Sequence, residues 1–319
     1  MTAPRVGLDL IADRLPRRAG VRTIHAVSRE SGEKTPADVT TSRARTLWWE
    51  GMRCGLLGLC PPYRATQFRH AVRLCLCPVD FWRYREFAAV IDEYRGESPI
   101  LDLASPRLLG VILARRANAT ILATDVAPAV GSEIGAYARA AGRGRLTGYL
   151  SDARAMPLSS NAIPFAYAVS VLEHIADDGD TRAIVETARV LAPGGRVVLT
   201  VPMAARHQDI WLDKDPYGRQ PSRADGKVFF SRLYDRQTLG DRLVAPSGLR
   251  VKACQVYADT PPGWYDDVYA PRVARPLTCR AIATKLFDMR SARRHIFALP
   301  QGEPIAGRSV ACLTLEKSG

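Results

Sequence analysis

Hydrophobic positions change their spacing along this chain. From Leu47 to Tyr94 they recur three and four residues apart, in "LWWEGMRCGLLGLC" and, past a Pro-Pro break, in "ATQFRHAVRLCLC" and "DFWRYREFAAVIDEYR". That is the period of helices with one buried face. From Pro99 onward, short apolar runs alternate with helical stretches. The runs predict seven strands, over 99–104, 120–125, 145–152, 165–171, 195–202, 249–257 and 309–317, with helices between them at "RLLGVILARRA" and "DTRAIVETARVLA". Strands alternating with helices imply a mostly parallel sheet covered by helices on both faces. Residues 28–42 are polar, turn-rich and aperiodic, which predicts a flexible link. The expected organisation is an N-terminal segment over 1–45, a helical region over 46–98 and an α/β core over 99–319. Two insertions interrupt that core, at 204–235 and 260–308, both rich in aromatics, Pro and Arg. Together with the N-terminal helices they are expected to form a lid over a substrate.

Composition narrows this picture. A chain of 319 residues that is 47% hydrophobic can bury a large core. No apolar run approaches the roughly 20 residues that span a bilayer, and the first residues lack the basic-then-apolar order of a secretion signal, so a soluble, cytoplasmic protein is expected. The seven cysteines have no disulfide-like spacing. Cys54, Cys60, Cys75 and Cys77 do not make a pair of C-x-x-C spacings, and buried thiols on helices explain them better than zinc. The net charge of +13 lies in the flanks: +5 over 1–98, +1 over 99–203 and +7 over 204–319. Basic flanks around a neutral middle suit an acidic substrate or an anionic surface, and equally a merely solvated surface.

In an open parallel sheet, ligands sit at the carboxyl ends of the central strands. After the first strand comes "ASPRLL". Ser105 is a favoured N-cap and Pro106 a favoured first helical residue, which would leave the N–H groups of Arg107 and Leu108 free for a carboxylate. A pyrophosphate would need the glycines of G-x-G-x-x-G, which are absent, so NAD and FAD are disfavoured. The second strand ends at Asp125, able to accept both hydroxyls of a ribose. The third ends in Ser151-Asp152-Ala153, where a side-chain acceptor would suit an adenine amino group.

From Pro99 to Pro202 the sequence resembles a class I S-adenosylmethionine-dependent methyltransferase of the bacterial small-molecule type. The motifs that carry the resemblance are "ILDLASPRL", "ATD" ending at Asp125, "SDARAMPL", "SVLEHI" and "LAPGGRVVLTVP". Two departures stand out: the family's first-motif glycines map to Ala104, Pro106 and Leu108, and its usual "FD" at the fourth strand is Phe165-Ala166. The resemblance implies a Rossmann-like, doubly wound fold and S-adenosylmethionine as cofactor, held by Asp102, Ala104, Ser105, Arg107, Asp125, Asp152, Ala153 and Glu173.

Methyl transfer is an in-line displacement, so positioning supplies much of the rate and a base matters when the acceptor is poorly ionised. His174, after the fourth strand, is a candidate base or cofactor contact; Glu173 and His174 would equally serve to hydrogen-bond the loop that shapes the site. His207 is a second candidate, beside Asp209 where a substrate would enter. Tyr217, Arg232 and Tyr234 are candidate substrate contacts. The carboxylates of "ADDGDT" read as acids at a helix start rather than a metal site. The expected partner is a small molecule of the acidic or specialised-metabolite kind, rather than nucleic acid; an RNA or peptide acceptor using the basic flanks, and a non-catalytic scaffold, are the alternatives. A homodimer is compatible with the chain.

Overall fold

The computed structural model describes residues 41–60, 68–117, 119–127, 137, 145–215, 222–274 and 278–319. Three helices lead, α1 (Thr41–Leu59), α2 (Phe68–Leu76) and α3 (Arg83–Glu93). The alternating region follows with β1 (Ile100–Leu103), α4 (Arg107–Arg116), β2 (Ile121–Asp125), β3 (Leu146–Leu150), β4 (Ile163–Val169), α5 (Gly179–Val190) and β5 (Leu191–Met203). A hairpin of β6 (Gln208–Leu212) and β7 (Val228–Leu233) comes next, then the short helix α6 (Arg236–Leu239) and β8 (Arg250–Asp259). The chain ends through α7 (Ala270–Val273), α8 (Cys279–Leu286), α9 (Asp288–His295), β9 (Ile296–Ala298) and β10 (Ser309–Glu316).

The main sheet has the order β3-β2-β1-β4-β5-β10-β8-β9. The strands β1 to β5 pair in parallel, while β10 runs antiparallel to both β5 and β8. All seven predicted strands are present. An eighth, β9, lies inside the second insertion and pairs with the end of β8 through Tyr257↔Ala298 and Asp259↔Ile296; three residues are too few for a period to show. The first insertion forms its own two-stranded sheet. The flexible link expected over 28–42 falls almost wholly outside the described residues, although Thr41 already belongs to α1.

The central strands read as near-continuous apolar runs because both their faces are covered. Alternate residues of β4 serve different cores: Phe165, Tyr167 and Val169 join the side of α1 to α4, Ala166 and Ala168 the side of α5. On the first side, α1 lies close against α2 through two glycines three apart. A Cβ on Gly55 would stand 2.6 Å from the Cys75 amide nitrogen, and one on Gly58 2.7 Å from the Ala71 Cβ. Cys54 of α1 and Cys77, just past α2, are buried, and burial pushes their thiols up to about 12 and about 11; Cys60 is exposed. No described helix is long and apolar enough to cross a membrane.

The start of α3 reaches the carboxyl edge of the sheet. Phe81, just before it, packs on Trp264, Tyr265 and Tyr269 of the second insertion, with ring centroids 5.0 to 5.6 Å apart. Arg85 donates to the Ile296 carbonyl at 2.9 Å and so ties α3 to β9.

Candidate active site

The sheet order reverses direction between β1 and β4, and the crevice of such a sheet opens at the carboxyl ends of these strands. The β1–α4 turn is built without glycine. Ala104 takes the left-handed conformation (φ +53°) that a glycine adopts without strain. Its N–H donates to the Thr124 carbonyl at 3.0 Å, and the Ser105 N–H donates to Asp102 Oδ1 at 2.8 Å. Asp102 is buried, and burial raises its carboxyl to about 6 against the pull of the Arg107 charge.

Ser105 corrects one expectation. It does not cap α4, which begins at Arg107 with Pro106 in the capping position. Its buried hydroxyl instead accepts from the Val169 N–H at 2.9 Å. That amide ends β4, so the hydroxyl satisfies a sheet donor that would otherwise be orphaned. The turn therefore joins β1 to β4, and α4 starts one residue later than "SP" suggested.

Asp125 stands at the end of β2 as expected, with both oxygens engaged. Oδ1 accepts from the Ala127 N–H at 2.9 Å, and Oδ2 is paired with Arg107 Nη2. Arg107 Nη1 also donates to the Ser105 carbonyl at 3.3 Å, so the guanidinium lies across the turn. Asp152 repeats the arrangement at the end of β3: Arg154 donates Nε at 3.0 Å and Nη2 at 2.6 Å to it, and its carboxyl is held below the usual range chiefly by those bonds. Ala153 is half-buried beside it, and Val126, next to Asp125, is exposed. Arg107 and Arg154 sit where ribose and adenine groups are expected, an occupancy that sequence spacing does not reveal.

The end of β4 carries a buried polar cluster. Ser170 is left-handed (φ +50°), and its hydroxyl donates to Glu86 Oε1 at 2.5 Å. Thr200 of β5 donates to the same oxygen at 2.9 Å, and Arg83 to Glu86 Oε2 at 2.6 Å. Glu86 and Arg83, both on α3, were missed by the sequence reading. Glu86 lies between core positions Tyr84 and Phe87, so helical periodicity marks it as anomalous but names no partner. Glu173 is buried nearby; burial first, then the charge of Glu86, pushes its carboxyl up to about 8.

His174 is oriented by the hairpin. Its Nδ1 stands 2.8 Å from the Phe230 carbonyl, an acceptor only, so Nδ1 carries the proton and Nε2 the lone pair. Burial, opposed by this hydrogen bond and assisted by the Arg83 charge, lowers its pKa below 6.5. Nε2 lies 3.9 Å from Glu173 Oε1.

Other candidates fall elsewhere. His207 precedes β6, with its N–H on Asp235 at 3.0 Å and Nε2 3.7 Å from Asp209; the described contacts do not join it to His174. Arg232 and Tyr234 are corrected as substrate contacts. Both are buried on Asp180, at 2.8 and 2.7 Å, and serve to dock the hairpin on the segment after β4. Asp180 also accepts from Arg242 at 2.6 Å, which engages the carboxylate of "ADDGDT" fully. Tyr217 lies outside the described residues.

The cleft has unmet hydrogen-bonding capacity. Trp82 Nε1, Glu173 Oε2 and Ser309 Oγ are buried without a hydrogen-bond partner among the described residues. Trp82 starts α3, Glu173 follows β4, and Ser309 pairs with Met203 at the end of β5. Buried orphan groups of this kind call for a further partner. Carboxylates at Asp125 and Asp152, an exposed apolar Val126 and the α4 N-terminus form a donor and acceptor set suited to an adenosine bearing an amino-acid tail.

Residues 107–199 match the family model described as "Methyltransferase domain". No curated protein matches the chain. Among solved structures, the chain is similar to a putative sarcosine dimethylglycine methyltransferase from Galdieria sulphuraria, at 18% identity, 78% of this chain, 87% of that one and a TM-score of 0.47. It is similar to the [4+2]-cyclase SpnF at 19% identity, with 91% and 99% covered and a TM-score of 0.45. A third is geranyl diphosphate C-methyltransferase from Streptomyces coelicolor A3(2), in complex with Mg2+, geranyl diphosphate and S-adenosyl-L-homocysteine. It is 14% identical, with 81% and 86% covered and a TM-score of 0.45.

Proposed function

We propose that the chain, whose residues 107–199 match a methyltransferase domain, is an S-adenosylmethionine-dependent enzyme that methylates a small molecule at an oxygen whose proton His174 removes. The observation that supports this most is the His174 tautomer, fixed by the Phe230 carbonyl with Nε2 basic at the end of β4. The cofactor supplies a methyl group activated on a sulfonium. Asp125 would accept its ribose hydroxyls, Asp152 its adenine amino group, and the start of α4 at Arg107 would receive its amino-acid end.

The chain's own residues then position and deprotonate the acceptor. The start of α3, the segment Ser170 to His174 and the two insertions would wall its pocket, with the insertions as lid. Placing acceptor oxygen and methyl carbon in line makes the reaction effectively unimolecular. Nε2 takes the acceptor's proton as the oxygen attacks. Glu173, protonated at neutral pH, offers a donor to the same acceptor without placing a second charge there. The basic flanks suit an acceptor bearing a carboxylate or phosphate.

Transfer of label from methyl-labelled S-adenosylmethionine to a panel of phenolic and carboxylate-bearing metabolites tests this reading. Labelled product is expected from the unaltered protein. With His174→Ala the rate should fall by about 100-fold or more, with affinity for S-adenosylhomocysteine kept. Label appearing in RNA or protein but in no small molecule would overturn the choice of acceptor.

A further inference from the structure

The turn between β1 and α4 has spent its backbone donors. The Ala104 N–H is bound to the Thr124 carbonyl, the Ser105 N–H to Asp102, and Pro106 has none. The Ser105 hydroxyl accepts from the Val169 N–H and turns its own proton to the Asp102 carboxylate. A carboxylate arriving at this turn therefore meets no donor from Ala104 to Pro106, and the first charged donor it reaches, beside the amides that open α4, is the Arg107 side chain. That residue lies across the turn, one nitrogen on the Ser105 carbonyl and another on Asp125. The pair is only partly buried, with side-chain exposures of 10% for Arg107 and 21% for Asp125, so it can part without stranding a charge in the core.

We propose that Arg107 is a specificity residue that exchanges one carboxylate for another: it pairs with Asp125 until the ribose takes that carboxylate, and then grips the amino-acid carboxylate of the cofactor. This rests on the reading of the cleft as an S-adenosylmethionine site. The planar guanidinium fork matches either carboxylate. The exchange explains how a turn without glycine can hold the amino-acid tail, and why Asp125 needs a cation beside it. It also gives the two halves of the ligand unequal footing. A nucleoside without the amino acid must break the Arg107–Asp125 pair and returns no carboxylate to Arg107. The full cofactor breaks the same pair and replaces it. Arg154 on Asp152 adds a second pair to be opened, but one on which the amino-acid tail has no bearing.

Calorimetric titration with two ligands tests the exchange: S-adenosylhomocysteine, and 5′-methylthioadenosine, which has the same nucleoside and thioether but no amino acid. In Arg107→Ala, S-adenosylhomocysteine should bind about tenfold or more weakly. Methylthioadenosine should bind about two- to fivefold more tightly, because Asp125 is released from a part-exposed ion pair. Arg107→Lys keeps the charge but not the fork, and should fall between the two for S-adenosylhomocysteine; it decides the matter if the alanine variant melts early. Effects of equal sign and size on both ligands, or no effect on either, would overturn the exchange while leaving the methyltransferase reading in place. Failure of the unaltered protein to bind S-adenosylhomocysteine would overturn both.

Discussion

Glu173 and His174 are adjacent, and burial drives their pKa values in opposite directions, Glu173 up to about 8 and His174 below its usual 6.5. Both are consequently neutral at pH 7, which a Glu-His pair in a sequence does not announce. Two outcomes follow. An unfolded Glu173 loses its proton near 4.5, the folded one near 8. Between those values the folded state binds the extra proton, so stability falls as pH rises through that window. Glu173→Gln removes this dependence, and the melting temperature of the variant relative to the unaltered protein should climb from about pH 5 to about pH 8. A constant difference would refute the burial of an acid there. For activity, a neutral His174 should keep the acid limb of kcat below pH 6.5; a limb above that value would remove His174 as the base.

At the scale of elements, the insertion hairpin matters more than its sequence, rich in aromatics, Pro and Arg, suggests. Its Arg232 and Tyr234 converge with Arg242 on the buried Asp180, and its Phe230 carbonyl sets the His174 tautomer. Asp180→Ala would leave the buried Arg232 with only the part-exposed Asp209 as counter-charge and Tyr234 without its acceptor, and should destabilise the fold by about 2 to 4 kcal/mol in urea unfolding. A loss under about 1 kcal/mol would show that the hairpin is not docked through this cluster. In the N-terminal helices, Gly55→Ala should cost about 1–3 kcal/mol through overpacking against α2, since its Cβ would meet the Cys75 amide. Helix period located these helices in the sequence; the glycine face that lets two of them touch was legible only as spacing, with no partner named.

Across the whole molecule, what was legible followed the physics of burial. Strands covered on both faces leave continuous apolar runs, so seven of the eight sheet strands could be read directly; β9 could not, because three residues at a sheet edge carry no period. Residues at strand ends were equally readable as positions: Asp102, Asp125, Asp152 and His174 stand where the alternation put them. Their partners were not. Arg107 on Asp125 is 18 residues away, Glu86 on Ser170 is 84, and Phe230 on His174 is 56, and no local pattern encodes such distances. Arg232 and Tyr234 were misjudged for that reason: polar residues near a cleft look alike whether they face a ligand or a buried Asp180. The most direct test of the account is a calorimetric titration of the unaltered protein with S-adenosylhomocysteine and, separately, with NAD. Saturable binding of S-adenosylhomocysteine with no heat from NAD is the expected result, and tight binding of NAD with none of S-adenosylhomocysteine would contradict it.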